Sequence, residues 1–574
     1  MMKILVLAKQ VPDVNKISFD PSTGRIIREG VPLSINSFDK KAVEEAIRIK
    51  ERLGAEVVVA TMGPPQASDI LNESLRMGAD RGILITDRQY GGADTWATSR
   101  ILSRLVEIET PEMVLCGKYS LDGETSQVPP QIAFFSGYSL GTSISSIEFQ
   151  QDNKLILEKE TEGGIEKIRL SMPIVISVSE KINKARKIPE GTPDMHSRIS
   201  VLDAAMLGAN INGQRDSLTI VAGTEKIQSN RNVKFIDLDE GIRLIEDFKR
   251  QNPENSDTKP EINLGKPTKS KAIIGVALDS PDSSFEIASE LSRISNKEGF
   301  EVLMIGNIEP GRLLGLPCHE YYYVNAKMND VFANELIAFI EKIKPDFIIY
   351  PSTVNGREVS ATVSAALNLG LTADCVNIKY EDGKLIQYKP AFGGGIVARI
   401  ISKTKPEMAT VRPGIFLKCI SNQPFTVHEI KSTHESSTEQ LEYTPVSGEF
   451  KPVSGSSLVI GIGMGARSRE AIKNVIEISR SLDCAIAGTR PVVDMKLLPR
   501  QQQVGLTGMA ISPELYIAIG ISGHDNHTVG LRYARKILAV NKDPGAPIFK
   551  SSDYGIVMDS NDFITALMKR FDVV

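Results

Sequence analysis

Cysteine is scarce in this chain of 574 residues: Cys116, Cys318, Cys375, Cys419 and Cys484 form an odd, scattered set with no CxxC pair. That argues against a disulfide framework, a zinc site and a cysteine-held iron–sulfur cluster, so redox chemistry would need an organic cofactor. Long apolar runs are also missing. None approaches the ~18 to 20 residues needed to cross a bilayer, and the opening MMKILVLAKQ lacks a signal-peptide layout. A cytoplasmic protein without membrane insertion is expected. Nor is there a block of one charge. The formal net charge of −4 is spread along the sequence, with no basic run to neutralise a phosphate backbone, so nucleic acid is not an expected partner.

What the chain has in quantity is short Val- and Ile-rich runs, at 3–9, 56–62, 113–117, 174–178, 272–278, 301–306, 347–350, 458–463, 515–520 and 537–541. Continuous apolar runs of this length read as buried parallel strands. Between many of them lie stretches such as 39–53 and 468–482, where apolar residues return every three or four positions. The alternation predicts an α/β protein of several doubly wound parallel-sheet domains. Polar, proline-bearing 251–269 reads as an exposed tether, and Ser-, Glu- and Pro-rich 433–455 as a second break. The expected units are 1–250, a linker over 251–269, 270–440 and 441–574. The first and second share a pattern: PEMVLC at 111–116 followed by LDGE at 121–124 matches PDFIIY at 345–350 followed by VNGRE at 354–358. They are expected to be pseudo-symmetric.

The last unit holds the densest chemistry. LVIGIGMGA at 458–466 places glycines at a strand-to-helix turn, where backbone N–H groups can face a pyrophosphate. The next strand, 484–488, ends in Thr489 and Arg490, whereas a nicotinamide site would place an acid there. A cation at that tip suits an anionic or electron-rich ligand. Polar residues follow three further apolar runs, at 521–527, 541–544 and 558–559, where open α/β sheets bind ligands.

TRPVVD at 489–494, QVGLTG at 503–508, PELYIAIGISG at 513–523, NKDPGAPIF at 541–549 and DYGIV at 553–557 resemble the FAD-binding domain of the electron-transfer flavoprotein α subunit. The resemblance extends back through NGRE at 355–358, LTADC at 371–375, PAFGG at 390–394 and MATVRPG at 408–414. Residues 1 to about 250 are similar to the β subunit, through KQVPD at 9–13, DPSTGR at 20–25, NSFD at 36–39, TMGPPQ at 61–66 and DGETSQV at 122–128. The resemblance implies both subunits fused in one chain, two nucleotide-binding-type domains and a C-terminal Rossmann-like FAD domain.

It further implies that Thr489 and Arg490 meet the isoalloxazine, with Thr507 near N5 and Gln503, Val504 and Gly505 nearby. Ser522, Asn526 and His527 would lie toward the pyrimidine side, and Asn541 and Asp559 at the pyrophosphate-to-adenosine end. A guanidinium or imidazole donor there favours the charge that the reduced ring carries. Met464, Leu506 and the pair His524-Asp525 depart from the family pattern. In the N-terminal half the implied nucleotide contacts are Ala8, Asn36, Phe38, Asp39, Met62, Asp94, Thr95, Thr98, Asp122, Gly123, Thr125, Gln127 and Val128. Ordinary members hold AMP there and the electron-bifurcating branch a second FAD. GGADTWATS at 91–99 resembles the bifurcating pattern, although Pro129 departs from it and 91–99 also reads as a capped helix start with Asp94 or Thr95 as N-cap.

The expected function is an electron relay from a dehydrogenase or NADH to a quinone oxidoreductase, with ferredoxin as a second acceptor if bifurcation occurs. A shuttle with one FAD and one AMP, serving acyl-CoA dehydrogenases of fatty acid β-oxidation, is the alternative. No metal and no acid–base catalytic pair is expected. The C-terminal unit would swivel on 433–455. Two readings of other classes stay open: a non-redox adenine-nucleotide sensor, and a self-sufficient NAD(P)H dehydrogenase.

Overall fold

The computed structural model describes residues 2–12, 18–19, 26–27, 31–226, 231–251, 260–391, 396–432, 434–445, 450–505 and 508–573. Its N-terminal sheet is built around Lys3–Leu7. This strand is apolar on both faces: Ile4 and Val6 enter one core cluster and Leu5 and Leu7 the opposite one, as a strand covered by helices on both sides must. The parallel part runs Ile199–Leu202, Arg81–Ile85, Glu56–Met62, Lys3–Leu7, Met113–Gly117, Ile174–Val178, Ser139–Phe149. Antiparallel Lys154–Glu160 and Gly164–Ser171 extend it.

The middle sheet repeats this order strand for strand: Thr426–Ile430, Glu320–Val324, Glu301–Gly306, Ala272–Ala277, Phe347–Pro351, Glu407–Val411, Leu371–Cys375, all parallel. The matched motifs of the sequence sit on corresponding strands, Met113–Gly117 and Phe347–Pro351, so the pseudo-symmetry is real.

The two halves exchange strands across the boundary expected at 250. Thr219–Lys226 leaves the N-terminal half and pairs antiparallel with Ile396–Ser402, beside Lys384–Ala391 and Asn377–Glu381. In return, Glu439–Pro445 pairs antiparallel with Gly164–Ser171. The boundary expected at 440 therefore falls inside a paired strand, and a swivel over 433–455 cannot begin before Pro445. Further on, Lys234–Phe235 pairs with Tyr554–Val557 of the C-terminal sheet, and the helix Leu238–Gln251 buries Ile242 and Ile245 in that unit's core.

Of the tether expected over 251–269, residues 261, 263 and 265–269 are exposed, yet the stretch is held to the middle unit: Glu261 bridges Ile420, Leu264 is buried in the middle core, and the N–H of Thr268 donates to Gly299 O at 3.0 Å. Residues 252–259 lie outside the described residues.

Candidate functional site

The C-terminal sheet runs Ala485–Gly488, Leu458–Ile462, Leu515–Ile519, Lys536–Asn541, Tyr554–Val557, all parallel. This is the 2-1-3-4-5 order, whose chain direction reverses between Leu458–Ile462 and Leu515–Ile519; ligands bind at such a reversal. Glycines let the two loops there approach each other. A Cβ on Gly463 would lie 2.2 Å from Gly520 O, and Gly520 itself has φ +63. Only a residue without a side chain fits both demands.

One strand away, Thr489 and Arg490 stand at the tip of Ala485–Gly488. The Thr489 Oγ1 is buried with no partner among the described residues. The Arg490 side chain is 63% exposed and, among the described residues, pairs with Asp494 at 3.4 Å. Its guanidinium is thus available to a ligand. Arg490, Val493 and Arg500 wall a cavity of about 940 Å³ whose opposite side is Phe38, Lys41 and Glu180 of the N-terminal half. Phe38, expected in the N-terminal nucleotide site, therefore faces the C-terminal one as well.

The loop after Arg490 folds back on the strand tip: Gln503 bridges Gly488, and the Val504 N–H donates to Gly488 O at 3.1 Å. Gly505 has φ +130, and a Cβ there would lie 2.3 Å from Asn526 O. Thr507 and Leu506 lie outside the described residues. Ser522 and Asn526 are exposed. His527, implied on the pyrimidine side, has both ring nitrogens engaged within the protein. His527 is buried, its Nδ1 lies 3.0 Å from Val504 O and its Nε2 3.1 Å from the Tyr516 hydroxyl. A carbonyl can only accept, so Nδ1 carries the proton and Nε2 accepts from Tyr516. Burial pushes its pKa down to about 4, which keeps it neutral. It braces the 504 loop. Asn541 spends its Nδ2 on Ile521 O at 2.9 Å and its Oδ1 on the Asp543 N–H at 3.0 Å. Asp559 caps the helix Ser560–Arg570 through Asn561 N at 2.8 Å. His524 is exposed and caps a short turn through Asn526 N at 3.2 Å.

In the N-terminal half the sheet reverses between Lys3–Leu7 and Met113–Gly117. Asp39, from the helix Ser37–Leu53, fills that gap by accepting the Lys9 N–H at 2.8 Å and the Gly117 N–H at 2.9 Å. Burial pushes its pKa up to about 7. Asn36 is wholly buried, with its Nδ2 on Tyr119 O at 2.9 Å, and Asp122 pairs with Lys9 at 2.7 Å. Ala8 is buried; Met62, Thr98, Gly123, Thr125 and Val128 are half-buried.

Three of the implied nucleotide contacts have partners within the protein. Asp94 caps the helix Thr95–Glu109 through Ala97 N at 2.9 Å, and its other oxygen takes the N–H groups of Leu218 and Thr219 at 2.8 and 3.0 Å. It anchors the exchanged strand. Thr95 donates to Gln127, whose Nε2 reaches Leu371 O at 3.2 Å, so this pair seals the two halves together.

A site that motif reading missed lies where all three units meet. A cavity of about 220 Å³ is lined by Lys118, Glu124 and Ser126 of the N-terminal half, Arg357, Asp374 and Arg412 of the middle one, and the 508–510 backbone of the C-terminal one. Arg412 and Arg357 both donate to Asp374. Burial opposes the Asp374 charge, but these guanidiniums hold its pKa far below the usual range. Yet the Arg412 Nη1, the Tyr533 hydroxyl and the Nζ of neighbouring Lys389 are buried without partners among the described residues. Lys389 feels Asp374 and Glu124, though burial still pushes its pKa down. The available signal was a lysine inside an otherwise half-apolar strand, KLIQYKPA.

Sequence comparison identifies the family. The electron transfer flavoprotein domain matches residues 23–205 and 324–445, and the electron transfer flavoprotein FAD-binding domain matches 452–532. The chain belongs to the electron transfer flavoprotein family. An electron transfer flavoprotein subunit beta from Thermoanaerobacterium thermosaccharolyticum is 46% identical over 185 residues, 32% of this chain and 71% of that protein. The subunit alpha of the same organism is 31% identical over 304 residues, 50% of this chain and 92% of that protein. The caffeyl-CoA reductase-Etf complex subunit CarD of Acetobacterium woodii is 44% identical over 192 residues, 33% of this chain and 73% of that protein.

This flavoprotein thus joins a β-like N-terminal half to an α-like C-terminal half, and its last unit is the family's FAD-binding domain. The residues fit FAD: a glycine-lined reversal, an unpartnered Thr489 hydroxyl and an exposed guanidinium. No helix of the described residues is long and apolar enough to cross a membrane, and no cluster of metal-ligating side chains occurs among them.

Proposed function

We propose that this electron transfer flavoprotein carries one FAD in the C-terminal unit and a second FAD in the N-terminal half, and that together they bifurcate electron pairs from NADH. The acceptors would be a quinone oxidoreductase and a low-potential protein such as ferredoxin, in the cytoplasm. Bound FAD supplies the ability to take electrons in pairs and release them singly. The chain's residues supply the rest. Arg490 brings a positive charge, and Thr489 a hydroxyl, to one strand tip. Ser522, Asn526 and the 503–505 backbone would line the same site, and Asn541 and Asp559 would hold the nucleotide end. His527, neutral and tied to Val504, keeps that backbone in place.

The reading of a second FAD is carried by the junction cavity. AMP in the N-terminal crevice would leave Lys389 Nζ and Arg412 Nη1 without acceptors, and a buried donor left unpaired costs roughly 1–3 kcal/mol. An isoalloxazine has carbonyl and ring-nitrogen acceptors to offer them. The loop 122–128 leads from the crevice to this cavity, through Glu124 and Ser126. Similarity to a subunit of a caffeyl-CoA reductase-Etf complex supports docking to a partner oxidoreductase. The units would be bounded by the exchanged strands, and the C-terminal one would turn only beyond Pro445.

Denaturing the purified chain and counting released nucleotides tests this. Two FAD and no AMP per chain are expected, and Lys389→Met should lower the count toward one. One FAD with one AMP would favour the single-flavin shuttle, and a colourless protein would end the flavin reading altogether.

A further inference from the structure

We propose that Lys41, on the first helix of the N-terminal half, supplies a second cation to the FAD site of the C-terminal unit, across the cleft from Arg490. The proposal rests on the reading of Thr489 and Arg490 as the strand tip that meets the flavin ring.

The cleft is the cavity of about 940 Å³ between the two units. Its walls combine apolar side chains, Phe38 from one unit and Val493 and Leu498 from the other, with an excess of positive charge. Lys41, Lys181, Arg490, Lys496 and Arg500 line it against Glu180 and Asp494. Much of that charge is answered locally. Lys181 pairs with Glu160 at 2.5 Å, Arg500 with Glu180 at 2.7 Å and Arg490 with Asp494 at 3.4 Å. Lys41 and Lys496 have no carboxylate within ion-pair distance among the described residues. Lys496 is exposed, so water and salt screen it, whereas Lys41 is half-buried.

The helix Ser37–Leu53 brings Phe38 and Lys41 to the same cleft because residues three apart share a helix face. The Lys41 ammonium has three donors. One goes to the backbone oxygen of Asn183, and Asn183 Nδ2 donates back to Lys41 O at 2.9 Å. Both partners lie in the N-terminal half, so the lysine is fixed at the cleft without serving as a bond between the units. Burial lowers its pKa; Glu180 opposes this, and repulsion from Arg500 and Arg490 adds to it. The two units therefore bring like charges to one cleft, and an anionic group between them relieves that repulsion.

The walls select the kind of group. Reduced flavin is a ring with apolar faces and a negative edge, which suits Phe38, Val493 and Leu498 on the one hand and Arg490 and Lys41 on the other. Since the two cations belong to different units, Lys41 acts on the ring only while those units are docked. The docked arrangement holds the flavin at a higher potential than Arg490 alone does.

The test titrates the FAD-loaded full chain. Arg490→Met marks the couple of the C-terminal site by lowering its midpoint potential. Lys41→Met should lower the same couple by about 30 mV, the two-electron equivalent of a roughly tenfold weaker hold on reduced than on oxidised FAD. Lys41→Gln, which keeps a polar group for Asn183, should match it, and Lys41→Arg should keep the wild-type value. An unchanged potential in Lys41→Met and Lys41→Gln would overturn the proposal. So would an equal loss in Lys41→Arg, because the site would then need the shape of lysine and not its charge, and so would a shift confined to another couple. If Arg490→Met moves no couple at all, the reading of the strand tip fails first, and this proposal with it.

Discussion

The N-terminal and middle sheets run their strands in one order, yet the two reversals of that order are used differently. In the N-terminal half, Asp39 reaches into the gap from a helix and takes two backbone N–H groups. In the middle half, Asp279 follows the first strand and accepts from Thr353 and from Asn355 Nδ2 at 2.7 Å. Asn355 and Glu358 in turn hold Lys159 of the other half at 2.8 and 2.9 Å. The polar groups that a ligand would need are spent there on the contact between halves. The C-terminal unit shows the third outcome, a reversal lined by glycines, with the Thr489 hydroxyl unpartnered among the described residues and Arg490 exposed beside Asp494. Topology thus offers a site three times, and the loop side chains decide which offer is kept.

Breaking the middle network should have the largest effect. Lys159 is 5% exposed at its side chain, and Glu358 also accepts from Asn329 at 2.9 Å and from Thr142. Glu358→Ala leaves a buried cation unpaired and should cost about 3–5 kcal/mol in denaturant unfolding. The Lys159→Met, Glu358→Leu double variant should recover most of it. If Glu358→Ala costs nothing, the middle reversal is not the lock between halves.

The C-terminal reversal should answer to acid instead. His527 has a folded pKa of about 4 against an ordinary 6.5, so its contribution is present above 6.5 and lost as pH falls through 4. Up to about 3 kcal/mol should disappear across that window, and His527→Gln, which cannot titrate, should flatten the melting-temperature profile between pH 7 and 4. A profile unchanged in the variant would place the acid sensitivity elsewhere.

The smallest effect separates the two exchanged strands. A Cβ on Gly164 would lie 2.3 Å from Thr444 O and 2.9 Å from the Pro445 Cα, backbone that cannot yield cheaply. A Cβ on Gly223 meets only the end of the Arg399 side chain, at 2.9 Å. Gly164→Ala should therefore cost about 1–3 kcal/mol, while Gly223→Ala stays within about 1 kcal/mol. Equal melting temperatures for the two variants would remove this distinction.

Much of the fold was legible because buried parallel strands are written locally: each core strand of the three parallel sheets is a short apolar run. The pseudo-symmetry showed in repeated strand-and-loop motifs, and the cation at the strand tip after 484–488 was readable as well. The antiparallel strands that cross between halves were not. Glu439–Pro445 is almost wholly exposed and polar, so it carries no apolar period, and its only reason to be a strand is the partner it meets. Asp94, Thr95 and Gln127 are ambiguous for a related reason. A carboxylate, hydroxyl or amide that suits a nucleotide suits a buried backbone group equally well, and only the packing shows which one arrives first.

The sequence by itself determined the α/β class, the family and the strand tips where ligands gather, since these depend on local periodicity and on residues close in the chain. Only the tertiary structure decided how the halves interlock, which polar residues are already spent, and that Lys389, Arg412 and Tyr533 converge with donors to spare. Those facts depend on contacts between residues hundreds of positions apart, such as Gln127 with Leu371 and Glu180 with Arg500, and no local pattern encodes a partner at that distance.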